Sequence, residues 1–236
     1  MKNIFIALLI LFSSIGICQE RTKKFSLSVN GVYTTSAKIY LNPNASDVLI
    51  RNNSFYMEDI FNPSIELRYN ATEYLALGLN TEYIEKKSGG SSLTAFAGGS
   101  TIALDVVDGF RVIPIEFNIY YILPFSTSTF KLLMGGGAGY YIGEHIREVG
   151  DVTVSNVSRK IAYGIQVVIS SEYFIKDYLS LNLDMKFRDP QFVVRSRYSK
   201  TSVADRGRFF RLPSEEFDSK INIDGVTFVL GAAFHF

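Results

Sequence analysis

From Phe25 to the final residue, apolar side chains recur at every second position in eight separate segments, a repeat that suits extended strands and no helix. Successive side chains of a strand point to opposite faces, so each segment carries one apolar face and one small or polar face. The first sets Phe25, Leu27, Val29 and Tyr33 against Ser26, Ser28 and Asn30; the second, shorter, sets Ile65, Leu67 and Tyr69 against Glu66 and Arg68. The third sets Leu75, Leu77, Leu79 and Tyr83 against Ala76, Gly78, Asn80 and Glu82. In the fourth, Ile113, Ile115, Phe117, Ile119 and Tyr121 oppose Pro114, Glu116, Asn118 and Tyr120, and Pro114, which lacks a ladder N–H, suggests a bulge. The fifth places Phe130, Leu132, Met134, Ala138 and Tyr140 opposite Lys131 and a run of glycines, and the sixth places Ile161, Tyr163, Ile165, Val167 and Ile169 opposite Ala162, Gly164 and Gln166. The seventh alternates Leu179, Leu181, Leu183, Met185 and Phe187 with Ser180, Asn182, Asp184, Lys186 and Arg188, a face that no soluble core accepts unpaired. The eighth runs Val226, Phe228, Leu230, Ala232, Phe234 and Phe236 against Thr227, Val229, Gly231, Ala233 and His235.

The connections alternate in length. Three are short, at 70–73, 123–129 and 172–177, and four are long, at 37–61, 86–110, 145–158 and 189–219, rich in Ser, Asn, Gly and charge. Such alternation is expected when one end of a barrel carries tight turns and the other carries long loops, and an even strand number brings both termini to the tight-turn end. On the apolar faces, Phe25, Tyr69, Tyr121, Phe130, Tyr173 and Phe236 fall near the tight-turn ends, while Tyr83, Tyr140, Tyr163 and Phe187 fall near the long-loop ends. Two interfacial aromatic girdles are therefore expected, built of Tyr and Phe because Trp is absent.

Apolar content is 47%, yet beyond residue 18 no uninterrupted apolar run is long enough for a membrane helix. A transmembrane barrel reconciles the two, since its strands need only about 9–11 residues with alternate side chains toward lipid. The expected fold is all-β: an eight-stranded antiparallel up-and-down transmembrane β-barrel, with ten strands possible if Ser92–Val107 forms an additional hairpin rather than extending beyond the bilayer. A soluble antiparallel barrel or sandwich shares the period but accounts less well for the turns.

Residues 1–18 have the layout of a cleaved signal peptide, with basic Lys2, an apolar run from Ile4 to Ile15, and polar Gln19 after Cys18, leaving 19–236 as the barrel domain. A lipid-attachment reading of Cys18 needs a small residue before it, and Ile17 stands there. Cleavage after Cys18 removes the only cysteine, and with it disulfides, thiolate nucleophiles and Cys-ligated metals. Of 24 Lys+Arg and 23 Asp+Glu in the chain, Lys2 is the only one before residue 19, so the remainder is balanced at 23 to 23. No field gathers nucleic acid, and no nucleic-acid partner is expected.

The stretches Val112-Ile-Pro-Ile-Glu-Phe-Asn-Ile-Tyr-Tyr121 and Lys131-Leu-Leu-Met-Gly-Gly-Gly-Ala-Gly-Tyr-Tyr141, with the ending Val226-Thr-Phe-Val-Leu-Gly-Ala-Ala-Phe-His-Phe236, resemble small outer-membrane β-barrel proteins of the OmpA, OmpX and OmpW types. The resemblance spans residues 25–236 in pattern and is specific only in those stretches. It implies the outer membrane as location, outer-membrane lipid and lipopolysaccharide as surroundings, and a monomer. It also implies that terminal Phe236 signals to the barrel-assembly machinery through the C-terminal strand. No periplasmic domain follows Phe236 and no plug-sized domain precedes the barrel, so peptidoglycan anchoring and energised transport are not expected.

Catalysis has little local support. His145 and His235 are the only histidines. Barrels that resemble this one in size include lipid A-modifying enzymes using His with Ser and an acid, but no Ser follows His235, and His145 has only Glu144 and Glu148 nearby. No catalytic residue, cofactor or metal site is expected. Gly135-Gly136-Gly137 lacks a following Gly-Lys-Ser/Thr, and reads as strand that leaves room for Tyr120 or Tyr141 inside. Glu66, Arg68, Glu82, Glu116, Lys131, Asp184, Lys186 and Arg188 all face the expected interior, which in eight strands is just wide enough to be filled by side chains. A salt-bridged polar core is favoured over an open channel. The last long loop is basic, and Arg195, Arg197, Arg206, Arg208 and Arg211 are its candidates for contact with lipopolysaccharide phosphates, with an ordinary solvated loop as the plainer reading. The functional expectation is a structural or surface-interaction role in the envelope, with a narrow porin-like conduit as alternative and a lipid A-modifying enzyme third.

Overall fold

A computed structural model describes residues 23–97, 100–159, 161–205, 208–212 and 216–236, with side chains of 91–102 and 205–208 left aside. The expected signal peptide, residues 1–18, lies outside the described residues. Fourteen strands follow one another: β1 (Phe25–Tyr40), β2 (Ser54–Asn70), β3 (Leu75–Glu82), β4 (Ile84–Ala97), β5 (Ser100–Ile122), β6 (Phe130–Val149) and β7 (Val152–Arg159), then β8 (Ala162–Lys176), β9 (Leu179–Arg188), β10 (Gln191–Tyr198), β11 (Ser202–Asp205), β12 (Arg208–Arg211), β13 (Phe217–Asn222) and β14 (Val226–His235). One short helix, α1 (Val48–Asn52), sits between β1 and β2, and none of its residues is buried.

The strand count exceeds the eight expected. Eight passes of chain nevertheless underlie it, because four of them are each described as two strands: β3 and β4 on either side of Tyr83, β7 ending at Arg159 and β8 beginning at Ala162, β9 and β10 on either side of Asp189 and Pro190, and β13 and β14 on either side of 223–225. A hairpin, β11 with β12, supplies the remaining pair. Proline at position 190 removes a ladder donor, which gives the third break a local cause. Pro114, in contrast, makes no bulge: β5 pairs with β6 in one unshifted register from Val106 opposite Val149 to Ile122 opposite Leu133. The long connections are largely strand rather than loop, since β1, β2, β4, β5, β6 and β7 continue through them. Ser92 and Val107 belong to the β4–β5 hairpin, which prolongs two existing passes and adds no new one.

All pairings are antiparallel. One set runs β1–β2–β3–β5–β6–β8–β9–β14 and returns from β14 to β1, so each of these strands is bonded on both edges. Above it, a second set joins β4–β5–β6–β7–β10–β13–β1–β2. Between β3 and β4, Tyr83 donates its N–H to the Pro63 carbonyl of β2 at 3.2 Å, and Lys86 Nζ on β4 donates to the Asp59 carbonyl of β2 at 3.0 Å. Both ends of the described chain meet at the tight-turn end, where Phe25 and Phe236 exchange backbone hydrogen bonds of 3.1 and 2.9 Å.

In the first set the faces are inverted relative to a soluble fold. Val29, Ile65, Leu79, Ile115, Phe117, Ile119, Ile165, Leu183 and Leu230 are exposed, while Ser28, Asn30, Glu66, Arg68, Glu116, Asp184 and Arg188 are buried. The expected girdle residues Phe25, Tyr121, Phe130, Tyr173 and Phe236 at one end, and Tyr83, Tyr163 and Phe187 at the other, are exposed; Tyr69 and Tyr140 are half-buried. In the second set the interior turns apolar. Its core contains Ala37, Ile39, Met57, Ile60, Phe110, Phe192 and Ile221. The switch in β1 and β2 is local. Thr34 and Ala37 are both buried, as are Met57 and Ile60, so the side-chain parity flips within each strand. Asp59, with φ of +54°, marks the point in β2. At the far end, Val203, Phe210 and Leu212 from the β11–β12 hairpin and its exit pack with Leu104, Val106, Val149, Val152 and Tyr198.

Two interior tyrosines lie against glycines. A Cβ at Gly135 would sit 2.5 Å from the Tyr120 ring and 2.8 Å from the Ile119 carbonyl, and one at Gly78 would sit 2.8 Å from the same ring. Tyr141 is met in the same way by Gly139 and Gly164, each at 2.9 Å. Gly135→Ala is expected to cost about 1–3 kcal/mol by overpacking. Gly31→Ala, whose Cβ would meet nothing nearer than 3.9 Å, should stay within about 0.5 kcal/mol. Urea unfolding midpoints of the two variants in detergent micelles check the contrast.

Candidate functional site

Eight strands around a narrow space leave the inward side chains no water to turn to, so they must satisfy one another. Two ionic groups do so. In the first, Arg68 on β2 donates from Nε to Glu66 Oε2 at 2.9 Å and from Nη2 to Asp184 Oδ2 on β9 at 3.0 Å. Its Nη1 reaches Ser170 Oγ at 3.2 Å, and its guanidinium lies 4.6 Å from the centre of the Tyr120 ring. The Tyr120 hydroxyl donates to Glu66 Oε1 at 2.7 Å, and Ser170 donates to Asp184 Oδ1 at 2.5 Å.

In the second, Lys186 and Arg188 on β9 face Glu82 on β3 and Glu116 on β5. Lys186 Nζ lies 2.8 Å from Glu82 Oε1 and 2.6 Å from Glu116 Oε2. Arg188 donates to both oxygens of Glu82 at 3.0 and 2.8 Å, and to Glu116 Oε1 at 2.9 Å. The Tyr141 hydroxyl donates to Glu116 at 2.9 Å, and the Asn80 amide bridges the two glutamates at 3.2 and 3.1 Å. In the cyclic order β3 and β9 stand opposite each other. These pairs therefore cross the whole interior rather than lining one wall.

Seven of the eight expected interior charges are thus brought together. Lys131 is not: it is half-buried near the tight-turn end, with Nζ 4.9 Å from the centre of the Phe174 ring. Parity placed it on the inward face, but it lies at the first rungs of β6, where a long side chain can turn its ammonium toward water. Glu172, read from sequence as part of a turn, is instead an inward residue of β8, because alternation continues through Ser170 and Glu172. It meets His235 and Ser180: Ser180 donates to Glu172 Oε1 at 2.6 Å, and His235 Nε2 lies 2.8 Å from Ser180 Oγ and 3.2 Å from Glu172 Oε1. The missing serine thus comes from β9 across the sheet. A relay needs one imidazole nitrogen on the hydroxyl and the other on the acid. Here the same Nε2 faces both, so the arrangement is a polar clasp and not an activated nucleophile.

A further buried polar group was invisible to sequence reading because its members are distant. Within the apolar second set, Arg147 on β6 grips Asp108 on β5 through two bonds of 2.8 and 3.0 Å. His145 lies beside them, with Nδ1 3.2 Å from Ser219 Oγ on β13 and Nε2 3.4 Å from Asp108 Oδ1. Burial pushes the His145 imidazole below its ordinary pKa, against the pull of Asp108. The Arg147 cation and the lone neighbouring carboxylate leave no room for a second positive charge.

The arginines of the last connection that the structure describes are spread over two strands, β10 and β12. Arg195 and Arg197 are exposed on β10, and Arg195 pairs with Asp218 at 2.8 Å. Arg211 is exposed on β12. Arg206 lies outside the described residues, as does the side chain of Arg208.

No family model matches the chain, and no curated protein matches it. Among solved structures, the outer membrane protein OprG from Pseudomonas aeruginosa is similar at a TM-score of 0.60 and 12% identity, covering 92% of this chain and 97% of that one. Ail, the attachment invasion locus protein of Yersinia pestis, aligns over 92% of this chain and 100% of its own, at 10% identity and a TM-score of 0.48. The likeness to OprG is one of fold, and by fold the chain groups with small outer-membrane β-barrel proteins.

Arg188→Met strands two buried glutamates on one lysine and is expected to cost about 3–5 kcal/mol. Pairing it with Glu82→Gln should recover part of that loss, as read by urea unfolding in micelles. For His145, a depressed folded pKa means that its contribution is complete above the ordinary value of 6.5 and is lost as pH falls through the lowered one. Protection factors of the β6 and β13 amides, taken relative to the intrinsic exchange rate at each pH, should fall between about pH 7 and about pH 5, and His145→Gln should remove that fall.

Proposed function

We propose that the chain is an integral outer-membrane protein, an eight-pass β-barrel whose first strand set spans the bilayer and whose second set stands outside the cell. Its role is structural or surface-interacting, with a sealed interior. The observation that carries this reading is the inversion of the faces: an apolar belt of Ile, Leu, Val and Phe is exposed while paired charges are buried. In water such a belt has no partner, whereas lipid satisfies it and leaves the cyclic ladder to satisfy the backbone. The likeness in fold to OprG supports the same location.

Sealing is supported by the pairs that cross from β9 to β3 and β5, and by the apolar core stacked above them. Water and ions moving along the axis would have to displace Lys186 and Arg188 from two carboxylates each and then enter an apolar layer. On the outer wall, Arg195 and Arg197 are placed to meet lipopolysaccharide phosphates, since guanidinium pairs well with such oxyanions. Phe236, bonded to Phe25 at the seam, is the residue the assembly machinery would read.

The mature chain refolded in detergent should migrate on unheated gels as a compact species that heating converts to a slower one, and should aggregate without detergent. A freely soluble monomer would defeat the membrane reading. In planar bilayers the inserted protein is expected to carry no steady single-channel current. A stable conductance would replace the sealed interior with the narrow conduit.

A further inference from the structure

Most glycines of the strands are fitted against a neighbour, but Gly31 is not. It faces outward on β1, and an added Cβ would find only the Leu230 carbonyl, at 3.9 Å. Packing therefore does not demand a glycine there. What its absent side chain does is open the lipid-facing wall. Gly31 stands opposite Pro63 on β2 and Leu230 on β14, and together they floor a groove of about 600 Å³.

The groove has an aromatic head and an aliphatic tail. Tyr33 lies with its ring centre 4.8 Å from that of Phe61 and 6.5 Å from that of Phe228, and these three close the end toward the second strand set. Leu183 and Leu230 continue the lining. At the head, the Tyr33 hydroxyl donates to Asp59 Oδ1 at 2.7 Å, and Lys86 Nζ donates to the Asp59 carbonyl at 3.0 Å, so the apolar trough ends at a fixed polar rim. Its volume falls within the roughly 300–1,000 Å³ of small-ligand sites.

We propose that this groove is a lipid site that holds one acyl chain of an outer-leaflet lipid. The inference rests on the membrane reading above, because continuity with the exposed apolar belt places the groove where hydrocarbon is the solvent. A chain seated between Tyr33, Phe61 and Leu183 gains dispersion contacts on several sides, whereas a chain against the flat wall gains them on one. The polar rim stops the chain at the level where its headgroup must begin.

Gly31→Leu builds into the groove from its floor, its Cβ meeting nothing nearer than 3.9 Å, and Gly89→Leu, whose Cβ on β4 meets nothing within 4 Å, is the control. The full chain would be embedded in nanodiscs containing a lipid with a photoactivatable diazirine in its acyl chain, then irradiated and digested. Label is expected to concentrate on peptides holding Tyr33, Phe61 and Phe228. Gly31→Leu should lower it there severalfold, to the level found on the rest of the belt, because the seated chain then loses its extra dispersion contacts. Gly89→Leu should leave it unchanged. Label spread evenly around the belt, or unaltered by Gly31→Leu, would overturn the site, as would a dimer that dissociates on Gly31→Leu, since a second copy would then fill the groove. A chain that never enters the nanodisc would overturn the membrane reading instead, so the two failures are distinguishable.

Discussion

With the apolar side chains facing outward, every polar group on the ring has to be satisfied inside a space only a few side chains wide. Most other features follow from that constraint. Single charges buried there would be intolerable, so Arg68, Lys186 and Arg188 each hold two carboxylates, and tyrosine, serine and asparagine fill the remaining lone pairs. The bonds that relieve burial also tie opposite walls together. The links between opposite walls thus arise from one electrostatic requirement.

Volume has to be met in the same space. Two tyrosines reach into the ionic groups through room left by Gly78 and Gly135 for one, and by Gly139 and Gly164 for the other. The glycine run of β6 accordingly has two duties: it lets backbone and ring approach closely, and it leaves the inner face of that strand free for groups arriving from β5. Above this level the interior becomes apolar, as in a soluble protein. The exchange of faces at Thr34–Ala37 and Met57–Ile60 marks the boundary between the polar and the apolar interior.

Much of this was legible along the chain. The alternation of Leu179–Arg188 named which residues share a face, and the glycines beside Tyr120 and Tyr141 announced their purpose. Lys131 misled because parity reports a face but not depth, and the first rungs of a strand let a long side chain reach water. Glu172 was lost to a turn although the pattern ran on through it. The Asp108, His145 and Arg147 group left no signal, because Ser219 lies 74 residues from His145 in sequence and meets it only through the second set of pairings.

Sequence alone determined eight alternating segments and the facing of their side chains, because a period of two is a local property set by backbone geometry at each residue. It also determined the tight turns and the exposed apolar belt. Only the tertiary structure decided which charges meet, since Glu82 and Arg188, 106 residues apart, are joined by the cyclic order of the strands and not by any pattern along them. It likewise decided that the long connections are walls rather than loops, because a strand whose inward face is not polar acquires its partners only when its neighbours rise beside it.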